Sequence, residues 1–155
     1  MIAALRNLAL TTSLLIAPQS FEPPPPPSVE ALSLVAVVQR LVFAVPLADF
    51  IGEANSSAHD NRLDWSSDGC SAPVVHSTGR SFYFTDSCRR HDFAYRNFRR
   101  IDRGILWTAP MRRRVDEKFL RDMKFQCSLR KMYDKPSCTA WALIFFHSVR
   151  LYAGP

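Results

Sequence analysis

Apolar and polar positions follow a helical period over most of this chain, and the stretches they mark out predict its elements. VEALSLVAVVQRLVFAV, from Val29 to Val45, is apolar over most of its surface. Its length and the placing of Glu30, Gln39 and Arg40 favour a helix over a buried strand, with Ser28 as N-cap and Pro46 as the stop. A shorter helix is expected from Leu47 to about Ala54. Cys88, His91, Asp92, Tyr95 and Phe98 then fall at i, i+3, i+4, i+7 and i+10, on one helical face. From Met111 to Cys127, the residues Asp116, Phe119, Leu120, Met123 and Cys127 again share an inward stripe, while most arginines and lysines face out. A last helix from Thr139 to Tyr152 places Trp141, Ile144, Phe145, Ser148 and Tyr152 at helical spacing, which reads as core packing. The expectation is an all-α fold, a small helical bundle in which the two helices over Cys88–Phe98 and Met111–Cys127 are central.

Three polar side chains break the apolar stripes. His91 and Asp92 sit between a cysteine and two aromatics, and Asp116 heads the stripe of Phe119 and Met123. Burying an ionised group without compensation costs several kcal/mol, so a positive group must stand opposite Asp92. Two readings of Asp116 are open: an ion pair with Arg112 or Arg113, or acceptance of a hydrogen bond from one ring nitrogen of His91. In the second, the other ring nitrogen is left free to act as a base.

Between Asp64 and Asp86 the periodicity is lost, and Asp68-Gly69-Cys70 with Ser71 and Pro73 reads as a tight loop. Asp68 is either a turn residue capping its own backbone or, with Asp92 and a loop carbonyl, part of an oxygen-rich site of the kind calcium takes. The four cysteines allow three pairings. The local one, Cys70 with Cys88 and Cys127 with Cys138, is preferred, and closing a loop of roughly 18 residues contributes about 3 kcal/mol. A zinc site from Cys70, His76, Cys88 and His91 is the competing use, weakened by the absence of close ligand pairs.

At 155 residues the chain has the length of one domain. Met1 to Ala17 carries one cation, Arg6, then LALTTSLLIA, with Ala17 and Ser20 as small residues near a cut. This predicts a signal peptide over residues 1–20, too short to span a membrane. Pro23 to Pro27 form a stiff linker or pro-segment within residues 21–28, leaving residues 29–155 as the folded domain. Asn55-Ser56-Ser57 is a glycosylation sequon and would mark exposed surface in a secreted chain. The net charge of +6 concentrates between Arg89 and Lys131. It reads either as a solvated helix face or as attraction to an anionic partner: a phospholipid surface, nucleic acid or an acidic polymer.

CRRHDFAYRN, with DWSSDGCS ahead of it and VDEKFLRDM behind it, resembles the secreted phospholipase A2 family of bacteria and fungi, whose hallmark is a C-x-R-H-D-F-x-Y-x-N helix. The resemblance covers roughly Asp64 to Trp141 and includes all four cysteines in the family's pairwise order. It implies a disulfide-stapled bundle whose two central antiparallel helices carry the active site. It further implies His91 as the general base toward water and Asp116 as its orienter. Calcium would be bound by Asp68 and Asp92 and by the main-chain carbonyl of Gly69, with Tyr95 and Asn97 as braces. Glycine departs from the larger apolar residue often found at that carbonyl position in bacterial relatives.

The implied activity is a secreted, calcium-dependent hydrolysis of the sn-2 ester of glycerophospholipids. The partner would be a membrane or micelle surface, preferentially anionic, for a monomeric protein with no nucleic-acid partner. Two other readings compete. A secreted basic nuclease would need a second histidine as acid, yet His59, His76 and His147 sit in a polar stretch, a loop and a helix. A non-catalytic membrane-binding module would keep the fold without turnover. For the interface, Arg89, Arg90, Arg99, Arg100 and Arg112 to Arg114 supply the expected cations and Phe82, Phe84 or Trp107 the aromatics.

Overall fold

The computed structural model describes residue 23, residues 25–70 and residues 82–152. The expected leader at residues 1–20 and the loop histidine His76 lie outside the described residues. Among the described residues there are five α-helices and no strand: α1 (Val29–Gln39), α2 (Leu47–Asn55), α3 (Thr85–Arg100), α4 (Ala109–Ser128) and α5 (Lys135–Tyr152).

Ser28 caps α1, its hydroxyl accepting from the Ala31 amide at 3.1 Å. The single helix expected to Val45 is interrupted: Arg40–Ala44 forms a π-helical turn closed by Val45 N to Arg40 O at 3.1 Å. Pro46 forces the residue before it out of helical geometry, and Val45 is extended. Widening the last turn keeps Leu41 and Val42 in the core, with Val38, as the helix ends.

α3 and α4 are antiparallel. Their cross-links run in opposite numerical order: Ser87 to Gln126, Arg90 to Asp122 and Tyr95 to Asp116. The same ordering relates α4 to α5, from the Cys127–Cys138 disulfide to the Arg150–Asp116 contact. Between α3 and α4 the chain reverses through a short 3-10 segment, Ile101–Gly104, where Asp102, Arg103 and Gly104 all have positive φ. Gly104 is required there, since a Cβ would come 2.9 Å from the Arg99 carbonyl oxygen. Thr108 restarts the helix by capping Met111 N.

One apolar cluster joins α1, α2 and α3 through Val38, Leu41, Phe50, Phe93 and Phe98, with Trp65 tilted on Phe93. A second joins α3, α4 and α5 through Phe84, Cys88, Phe119, Met123 and Ala142. Each of the two disulfides pairs cysteines next to this second cluster, Cys70 with Cys88 and Cys127 with Cys138. The Cys70–Cys88 bond removes the thiolates a zinc site would need.

Several expectations are corrected. Arg90 is not on a cationic face: it is 1% exposed. Its Nε donates to Asp122 Oδ2 at 2.9 Å and its Nη1 to the Val45 carbonyl at 2.9 Å, while Nη2 stands 2.6 Å from Asp122 Oδ1 at an angle poor for a hydrogen bond. Arg112 also turns inward, toward Tyr95 and the last turn of α5. Phe84 is buried and Trp107 packs on Tyr95 and Phe98, so neither is an interfacial aromatic. On α5, Ile144 and Tyr152 are exposed rather than core.

Candidate active site

The two helices meet at His91 and Asp116. Asp116 is fully buried, and its Oδ1 lies 2.9 Å from His91 Nε2 and accepts the Tyr95 hydroxyl at 2.7 Å. Its Oδ2 accepts from Arg150 Nη1 at 2.9 Å, with Arg112 Nε at 3.9 Å. Both readings of Asp116 made from the sequence therefore hold at once. Burial alone would push its carboxyl up, but hydrogen bonds from His91, Arg150 and Tyr95 outweigh that and hold it below the usual carboxylate range.

An ionised carboxylate can only accept, so Nε2 carries the proton and the neutral ring leaves Nδ1 as a lone-pair acceptor. Phe119 and Tyr95 flank the ring, with centroids 4.6 and 4.4 Å away, and fix its plane. Tyr95 is itself held protonated by burial and by Asp116, its hydroxyl pushed well above the usual phenol range. Its hydroxyl is committed to Asp116 and so braces the pair.

His91 lines a cavity of about 400 Å³, together with Asp68, Gly69, Asp92, Arg96, Phe145 and others. Gly69 stands at φ 75° in the loop leading to the Cys70–Cys88 disulfide, a backbone conformation that glycine adopts without strain. Asp92 Oδ2 accepts from Ser67 Oγ at 2.6 Å, and Asp68 Oδ1 is 2.8 Å from Arg96 Nη2. Burial raises the Asp92 carboxyl above its usual range and the negative charge of Asp68 raises it further, against the Ser67 hydrogen bond. Arg96 pairs with Asp68, and the part-buried Asp92 carboxylate is held by the Ser67 hydroxyl and, at longer range, by His91 and Arg96. Among the described residues no cluster of three or more His, Cys, Asp or Glu side chains forms a metal cage. A cation here would be held by two carboxylates completed by main-chain oxygen. Hard oxygens of mixed carboxylate and carbonyl type suit calcium.

Asn97 braces the loop from α3: its Oδ1 accepts from Asp64 N at 2.9 Å and its Nδ2 donates to the Asp64 and Phe93 carbonyls. Ser67, Arg96 and Arg150 were not anticipated. Arg96 follows Asp92 at i+4, the spacing of an ion pair along a helix, and its Nη2 donates to Asp68. Arg150 lies off the apolar stripe of α5, and only the tertiary packing brings it to Asp116. The other described histidines stand elsewhere: His59 Nδ1 lies on the Ser56 carbonyl, and His147 is exposed beside Phe146. Neither can serve as the acid partner that a nuclease would require.

Two fungal proteins named secretory phospholipase A2 resemble the chain. One, from Beauveria bassiana (strain ARSEF 2860), is 34% identical over 118 residues, covering 76% of this chain but 58% of its own length. The other, from Arthroderma benhamiae (strain ATCC MYA-4681 / CBS 112371), is 33% identical over 118 residues, covering 74% of this chain and 76% of its own length. The sequence profile described as prokaryotic phospholipase A2 matches residues 38–153, which take in α3, α4 and α5 whole. The chain belongs to the prokaryotic phospholipase A2 family.

Proposed function

We propose that the protein is a secreted, calcium-dependent phospholipase A2 that cleaves the sn-2 ester of glycerophospholipids into a lysophospholipid and a free fatty acid. The observation that carries this reading is the His91–Asp116 hydrogen bond at the wall of the cavity.

His91 Nδ1 takes a proton from a water molecule as its oxygen bonds to the ester carbonyl carbon. Asp116 stabilises the imidazolium so formed, and its two remaining donors, Tyr95 and Arg150, keep it from taking the proton itself. As the tetrahedral adduct collapses, the imidazolium returns the proton to the departing glycerol oxygen, and the acid and the lysophospholipid separate. Phe119, Phe145 and Val149 give the cavity an apolar side for an acyl chain. The Gly69 amide, which donates to Ser67 Oγ at 3.1 Å, would serve as a loop donor to an oxyanion once turned from that hydroxyl. Asp68 and Asp92 would hold calcium with the Gly69 carbonyl, and the bound ion would supply positive charge to the substrate phosphate and to the ester oxygen.

The test is release of fatty acid from the sn-2 position of phosphatidylcholine vesicles. Activity is expected with calcium, none after chelation, and a fall of roughly 10²–10⁴-fold in His91→Gln. Undiminished turnover by that variant would remove the reading. Both relatives carry "secretory" in their names, and two disulfides suit an oxidising compartment.

A further inference from the structure

The last turn of α4 and the connection from it to α5 present bulky apolar side chains to solvent. Phe125 is 60% exposed, Leu129 73%, Met132 84% and Tyr133 73%. Four such groups within nine residues are not scattered surface hydrophobes. The backbone that carries them is stapled: Cys127 and Cys138 close the connection, and Met132–Asp134 forms a 3-10 turn fastened by Asp134 N to Lys131 O. A rigid turn cannot fold these side chains away, so their exposure is built in.

Cations surround them. Arg130, Lys131 and Lys135 stand against one acid, Asp134. Arg130 lies over the Phe82 ring at 5.9 Å and Lys131 over the Tyr133 ring at 6.0 Å. The first of these contacts brings the Phe82–Tyr83 segment beside the turn and adds Tyr83, 75% exposed, to the apolar surface. The Ser87–Gln126 hydrogen bond sets the turn at the end of the bundle where the Cys70–Cys88 wall of the cavity begins.

We infer that the α4–α5 turn is the element by which the protein docks on an anionic lipid surface, with Leu129, Met132 and Tyr133 entering the interface and Arg130, Lys131 and Lys135 holding acidic headgroups. An apolar tip with three cations to one acid around it is complementary to a bilayer face, which is apolar beneath a negative layer. A second copy of this chain would bring the same three cations against one another, so self-association is disfavoured there. The inference rests on the lipid-hydrolase reading for its biological sense, but not for its test.

The test uses the full chain and sedimentation with vesicles of non-hydrolysable ether-linked lipids. The wild type is expected to partition to phosphatidylglycerol-containing vesicles more strongly than to pure phosphatidylcholine, and less so as salt rises. Replacing Arg130 and Lys131 by Gln lowers partitioning on anionic vesicles by on the order of tenfold. A Leu129→Ser, Met132→Ser, Tyr133→Ser triple lowers it on both lipids by roughly as much. All sites are exposed, and circular dichroism with a thermal melt establishes that the variants fold. Partitioning by both variants equal to wild type overturns the assignment. So does a dimer in analytical ultracentrifugation that the triple abolishes while vesicle binding persists. Hydrolysis of a soluble monomeric ester by the wild type is measured alongside: its absence counts against the phospholipase reading and leaves the docking result standing.

Discussion

Arg150 donates to Asp116 Oδ2 at 2.9 Å, so the last helix completes a site otherwise carried by α3 and α4. Asp116 is a buried carboxylate whose charge is shared among His91, Tyr95 and Arg150, and the arginine contributes the only full cation in hydrogen-bond contact with it among the described residues. Removing that cation changes both stability and its pH dependence. The folded-state carboxyl lies below its model-peptide value of 3.8, so its ionisation stabilises the fold above that pH and the benefit is lost as pH falls through the folded value. Arg150→Gln takes away one of the interactions that lower it. The variant is expected to be less stable at pH 7 by about 2 kcal/mol, the scale of a hydrogen bond to a charged group. The deficit shrinks as pH falls below the folded value. Urea unfolding at pH 7 and at a series of falling acidic pH values follows the change.

Asp92 has the opposite sign. Its carboxyl is held above the usual range by burial and by Asp68, so in the absence of a cation its ionisation opposes folding at neutral pH and protonation on acidification relieves it. Asp92→Asn is therefore expected to melt above the wild type in chelator. With calcium the order reverses, because a ligand bound at about 100 times its dissociation constant stabilises the native state by about 2.7 kcal/mol. Thermal melts of both proteins with and without calcium decide it. A wild type unmoved by calcium sinks the assignment of Asp68, Gly69 and Asp92.

The parts of this site legible in the sequence are those where a polar residue breaks an apolar stripe. His91, Asp92 and Asp116 stood out because burying them demands partners, and the helical period alone set His91 and Asp116 on inward faces. The partners themselves were less legible. Arg90 adjoins His91 in a run of basic residues and reads as surface, because nothing in its own helix shows that Asp122 waits on the next one. The π turn at Arg40–Ala44 leaves no trace either: the segment is apolar throughout, and the demand of Pro46 for an extended neighbour is met by any helix that ends there. Local periodicity marked the inward stripes of α3 and α4 but not that of α5, where Ile144 and Tyr152 are exposed, and the pairing across faces was settled by packing.

The Arg90–Asp122 pair makes that difference measurable. Arg90 is 1% and Asp122 5% exposed, and Lys118 Nζ also lies 2.7 Å from Asp122 Oδ1. Replacing the carboxylate leaves two cations facing each other, one of them out of reach of water. Asp122→Asn is expected to cost about 3–5 kcal/mol. A surface reading of Arg90 predicts less than about 1 kcal/mol. Urea unfolding separates the two.

Gly69 offers the sharpest probe of the loop. Among the described residues, a Cβ at this position would meet no heavy atom within 4 Å, so substitution by alanine introduces no clash with them. What it does introduce is strain, because φ is 75° and an L side chain there costs roughly 1–2 kcal/mol. The loop can absorb that cost in place, lowering stability, or relax it by turning the peptides on either side of Gly69 toward ordinary φ. Relaxation would move the Gly69 carbonyl and amide, the two groups the proposed chemistry draws from this residue. Gly69→Ala is thus expected to weaken calcium binding and to lower kcat, with loss of global stability near 1 kcal/mol at most. Calcium titration by calorimetry, set beside urea unfolding, reads the two quantities independently. A variant that loses stability but keeps wild-type calcium affinity and turnover would show that the peptide stays in place and that its orientation is fixed by the Cys70–Cys88 bond rather than by glycine.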